Sequence, residues 1–106
     1  MNWIYLLIAG AFEIGWPLGF KLSQTTPHRF FWIGFAIVSM GLSGLFLWYA
    51  QKTIPIGTAY SIWTGIGASG TLLIGIFFFK DPADIGRLFF ASLIIVGIIG
   101  LKSQTA

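Results

Sequence analysis

The stretch "FEIGWPLGFK", Phe12 to Lys21, sets a carboxylate and an indole three residues apart, at Glu13 and Trp16. On a helix they share a face with Ala9, Gly10, Pro17 and Phe20, so one stripe carries a small hollow, an acid and aromatic walls. A carboxylate there can take a proton or an organic cation, and the rings can stack on a planar one. The flanking residues are apolar, and in such surroundings a charged carboxylate is costly unless it is paired or protonated. Two uses fit: a reversible proton and cation site, or a neutral acid that hydrogen-bonds one helix to the next. Pro17 lacks the N–H that would bond the Glu13 carbonyl, which predicts a kink or a free acceptor; a plain packing bend is the other reading.

A second group lies in "IGTAYSIWTGIGASG". Tyr60 and Trp63 fall on one helix face, offering a phenol that can donate to a carboxylate and an indole that can stack on a cation, or simply an aromatic packing pair. Gly65, Gly67 and Gly70 thin the helix beyond them for close approach. Thr64, Ser69 and Thr71 are expected to bond their own backbone carbonyls. Ser43, one turn from Ser39, either orients Glu13 or bonds back within its helix. With no Cys and a single His, the chain offers no metal-ligand cluster, and no cofactor is expected.

The elements that must position these residues follow from composition. The 106 residues are 57% hydrophobic and 8% charged, with a net charge of +3 and a mean hydropathy of +0.88. That is a membrane protein rather than a soluble domain. The cations stand at the ends of apolar runs, as interfacial Lys and Arg do, so no nucleic-acid partner is expected. Four runs, Trp3–Phe20, Phe30–Ala50, Ile56–Phe79 and Ile85–Leu101, approach the roughly 20 residues that cross a bilayer core and make a single four-helix transmembrane domain. The fourth is the shortest, and its stretch from Leu88 to Leu101 suits a buried helix as well as a span. Pro27, Pro55 and Pro82 separate the runs, with "SQTTPHR", "QKTIP" and "KDPAD" as polar loops. Trp48 and Tyr49 fall where interfacial anchors sit, and Ala91, Ser92, Gly97 and Gly100 give the fourth run small surfaces for association. The N-terminal run has no basic leader or cleavage signal and carries Glu13, so it is expected to stay in the mature protein. Lys21, Arg29, Lys80 and Arg87 on one side against Lys52 and Lys102 on the other is a weak bias, which leaves insertion in both directions open.

Over its whole length the chain resembles the small multidrug resistance transporters, and among them the guanidinium exporter subtype. The resemblance rests on "FEIGW", on "PIGTAYSIWTGIG" from Pro55 to Gly67, and on "GIIGLK" from Gly97 to Lys102. It implies an all-α, multi-pass protein of the bacterial inner membrane, working as an antiparallel homodimer of four-helix subunits. The implied activity is transport without enzymatic chemistry: protons exchange for a small cation at paired glutamates. By matching position, Glu13 is the shared proton and substrate site, Trp16 and Ser43 belong to the subtype's binding region, Tyr60 and Trp63 line the pocket, and Gly10 is the small residue against the substrate space. Pro17 and "TTPHRFFW" depart from the subtype's general pattern, and the first loop is about a residue longer; these departures bear on substrate range and bring in substituted guanidiniums such as guanylurea.

Physical reasoning leads toward the same arrangement, because two thin four-helix subunits can enclose a chamber that one cannot, and opposite insertion makes them an inverted pair. Guanidinium matches carboxylate geometry and stacks on indole. The competing readings are a broader quaternary-ammonium or multidrug exporter, a non-transporting membrane subunit, and one half of a heterodimer.

Overall fold

The computed structural model describes residues 2–104, as four helices: α1 (Asn2–Thr25), α2 (Arg29–Ala50), α3 (Ile56–Phe78) and α4 (Ile85–Gln104). All four are long and apolar enough to cross a bilayer, α4 included. Helices answer the demand of lipid, where no water can satisfy an open backbone. Proline punctuates them as expected: Pro27 and Pro82 lie between helices and Pro55 is the N-cap of α3. Pro17, by contrast, sits inside an unbroken α1.

The first loop is shorter than the sequence suggests. Ser23, Gln24 and Thr25 belong to α1 rather than to a polar loop, so the helix runs five residues past Phe20. The reason lies in the hydroxyls. Ser23 donates to the Phe20 carbonyl at 2.6 Å, Thr25 to Lys21 at 3.1 Å and Thr26 to Leu22 at 2.7 Å. Polar side chains that bond their own helix do not end it.

α1 is the hub, packing against α2 and α3, while α4 packs against α3. Gly15 and Gly19 open the α1–α2 seam: a Cβ on Gly19 would stand 3.0 Å from both the Phe35 ring and the Trp32 carbonyl. Small residues let membrane helices approach when no hydrophobic force drives them together. The assembly is flat, 46 × 34 × 17 Å, closer to a layer of helices than to a closed bundle. Its apolar core, Leu6, Ala50, Ile54, Ala59 and Ile62, lies toward the end that carries the termini. At that same end Lys52 stands over Trp48 and Tyr49, at 4.5 and 5.2 Å from the ring centres, and Lys102 over Trp3 at 4.8 Å. At the other end Arg29 lies over Phe30 at 5.1 Å. Cation and ring together suit the headgroup layer, where one end of the side chain is wet and the other apolar.

Candidate functional site

Glu13 sits half-buried in the middle of α1 and faces α3. Its carboxylate accepts the indole N–H of Trp16, Nε1 to Oε1, at 2.6 Å. The contact is local, a product of i,i+3 spacing. Phe20 then closes edge-on against Trp16, with ring centres 5.8 Å apart at 79°, and braces the indole. Across the interface the Glu13 side chain fills the place a Cβ would take on Gly67. Glycine at that position is what lets the carboxylate lie against α3.

In front of Glu13 opens a cavity of about 460 Å³, lined by Glu13, Pro17, Thr64, Gly67, Ala68, Thr71, Leu72 and Asp81. Pro17 and Thr71 also border a neighbouring cavity of about 250 Å³ beneath Lys21 and Asp81. The first volume accommodates a small organic cation and the carboxylate can receive it. One oxygen already holds Trp16, which leaves the other oxygen and further lone pairs for the donors of a cation.

The remaining predicted residues form a second centre one turn away. Ser43 is fully buried and neither orients Glu13 nor bonds back within α2: its hydroxyl donates to the Ala9 carbonyl on α1 at 2.7 Å. It also accepts the indole N–H of Trp63 at 2.8 Å. Three helices are thereby tied at one oxygen, and the Trp63 N–H is committed to that bridge. Tyr60 leans on Trp63, ring centres 5.5 Å apart, with its own surface exposed. It lies seven residues from Gly67, roughly 10 Å along α3, and does not line the Glu13 cavity. Gly10 faces α3 as well, but Ile66 covers it, 2.7 Å from where a Cβ would stand.

Two features were not visible in the sequence. Ser69 bonds back to the Gly65 carbonyl at 2.7 Å as expected, whereas the Thr71 hydroxyl is buried without a hydrogen-bond partner, against expectation. Asp81, a loop residue by sequence, reaches the rim of both cavities. The signal available for it was its place in "FFFKDP", directly after the third span. Among the described residues no group of three or more His, Cys, Asp or Glu could hold a metal ion.

Comparison with known proteins bears directly on this arrangement. A family model described as "Small Multidrug Resistance protein" matches residues 1–94. The chain is 48% identical over 106 residues to a protein of Proteus vulgaris named "Guanidinium exporter", covering 96% of this chain and 97% of that one. A protein of the same name from Salmonella typhimurium is 45% identical, with 96% of each chain covered. Another, from Citrobacter freundii, is 43% identical, with 99% of each covered.

Proposed function

Because the chain belongs to the small multidrug resistance family of membrane transporters, we propose that it exports guanidinium or substituted guanidinium cations across the inner membrane in exchange for protons. The observation that carries this reading is Glu13: a carboxylate in mid-span, held by Trp16 at 2.6 Å, fronting a cavity of about 460 Å³. The names of the similar proteins support the choice of cation.

Proton and cation compete for one carboxylate. The ionised form receives the planar N–H donors of a guanidinium, and its charge is balanced within an apolar chamber. When a proton arrives, the carboxylate becomes a neutral acid, the ion pair is gone, and the cation leaves. Both cannot be held strongly at once, so passage of one against the other is coupled. Trp16 does not line the cavity; it holds the carboxylate in place and so fixes the direction in which Glu13 meets the cargo.

A flat subunit 17 Å thick cannot enclose a chamber alone. Two copies inserted in opposite directions would place two Glu13 faces across one space and would make inward and outward states equivalent by exchange of the subunits' shapes. In that assembly Gly10, Ser43, Tyr60 and Trp63 belong to the binding region in different ways. Ser43 and Trp63 fix the helix spacing behind Glu13, Gly10 lets α3 close on α1, and the exposed Tyr60 ring contributes a wall of the shared chamber.

The test is proton flux in proteoliposomes on addition of guanidinium, guanylurea and a tetraalkylammonium ion in turn, for wild type and Glu13→Gln. Guanidinium-type cations are expected to drive flux in the wild type and none in the variant. A response to the tetraalkylammonium ion alone would instead assign the broader drug-exporter role. Silence toward all three, from folded dimeric protein, would exclude proton-coupled export by this chain alone and favour a subunit that needs a partner or does not transport.

A further inference from the structure

The Glu13 cavity does not end at apolar helix. Its far rim is Asp81, which with Lys21 also borders the smaller cavity beside it. Asp81 reaches this position through the backbone. Lys80 adopts a left-handed conformation, φ 58°, and turns the chain back on α3. The backbone N–H groups of Phe79 and Asp81 both donate to the Gly75 carbonyl at 3.0 Å. The Asp81 carboxylate then lies over Gly75, in the space a Cβ would take, as the Glu13 side chain does at Gly67. A left-handed backbone is unfavourable for a residue with a Cβ, and the paired hydrogen bonds hold it.

Between the two acids stands the buried Thr71 hydroxyl, without a partner, on the wall common to both cavities. Because Thr71 lines both spaces, its hydroxyl can donate to or accept from a polar group passing through either. Gly67, Thr71 and Gly75 follow one another at one-turn intervals on a single face of α3. Glu13, the hydroxyl and Asp81 therefore succeed one another over roughly 12 Å.

We propose that Asp81 is a second cation station at the mouth of the chamber, which collects a guanidinium-type cation from water and passes it by the Thr71 hydroxyl to Glu13. This rests on the transport reading above. Lys21 borders the same smaller cavity, and its like charge opposes a cation there, so the station holds cargo loosely enough for it to leave. The gain from such a station is capture: a carboxylate at the mouth raises the local concentration of cations and does so less as salt screens it.

The experiment is the initial rate of guanidinium-driven proton flux, in vesicles of neutral phosphatidylcholine, for wild type, Asp81→Asn, Asp81→Glu and Thr71→Val. Each is measured at ~10 mM and ~0.5 M salt, where screening lengths differ several-fold. Asp81→Asn keeps the loop's shape and backbone bonds. It is expected to raise the half-saturating guanidinium concentration about 3–10-fold at low salt, with the maximal rate within about twofold of wild type, and to differ little at high salt. Asp81→Glu restores most of the loss. Thr71→Val slows the maximal rate equally at both salts. An unchanged half-saturation in Asp81→Asn overturns the proposal. So does a loss that is equal at both salts and not recovered by glutamate, which is the behaviour of a loop fastener. A wild-type maximal rate in Thr71→Val removes the hydroxyl from the path and overturns the relay. A wild type indifferent to guanidinium would fail at the earlier step, before any variant is compared, and would strike the transport reading itself.

Discussion

Glu13 and Trp16 are bound to each other by three residues of helix, and that bond sets what each can do. Trp16→Phe keeps a ring in place and removes the N–H that reaches Glu13 at 2.6 Å. A hydrogen bond to a charged group is worth about 1.5–3 kcal/mol and this one is already made without cargo, so only the part that differs between the bound and empty states is lost; the half-saturating guanidinium concentration is expected to rise by up to about tenfold, read from flux titrations. The Glu13–Trp16 pair was legible because it is local: spacing alone brings the two together. Ser43 was not, since its partners Ala9 and Trp63 belong to two other helices. Asp81 was hidden for a different reason, a left-handed turn at Lys80 where no glycine advertises it.

At the scale of helices, the bridge through Ser43 is the one polar tie described among α1, α2 and α3, with the hydroxyl donating at 2.7 Å and accepting at 2.8 Å. Ser43→Ala leaves the Trp63 N–H without its acceptor and is expected to cost about 1–3 kcal/mol. Ser92→Ala, which removes an exposed hydroxyl bonded only within α4, is expected to cost almost nothing. Comparing the two in a detergent unfolding titration separates a tie between helices from a hydroxyl that merely serves its own. The same contrast explains which boundaries the sequence disclosed. Apolar length and proline spacing located all four helices, but Ser23 and Thr25 read as loop because their hydroxyls, bonded back to α1, look polar in the sequence. Asp84 caps α4 by accepting the Arg87 N–H at 2.9 Å, a local role that "DIGR" carries in plain view and that is worth about 1 kcal/mol.

For the molecule as a whole, the broad apolar exposure of α4, where Ala91 is the buried residue among those described, leaves a face for lipid or for a second subunit. Opposite insertion of two copies makes a direct prediction, and the absence of cysteine makes it clean to test. Ser103→Cys, placed at the exposed end of α4, should react with a membrane-impermeant maleimide from both sides, with about half the protein labelled from each. Labelling from one side alone would exclude the inverted pair. The distribution of packing has a mechanical consequence as well. The core around Leu6, Ala50, Ile54, Ala59 and Ile62 packs toward one end of the helices, while the Glu13 cavity, its smaller neighbour and Asp81 lie toward the other. Length supplies leverage in such a body. A helix about 35 Å long pivoting by about 10° at its packed end would carry its far tip through roughly 6 Å, so a small adjustment at the core would be magnified at the mouth of the Glu13 cavity.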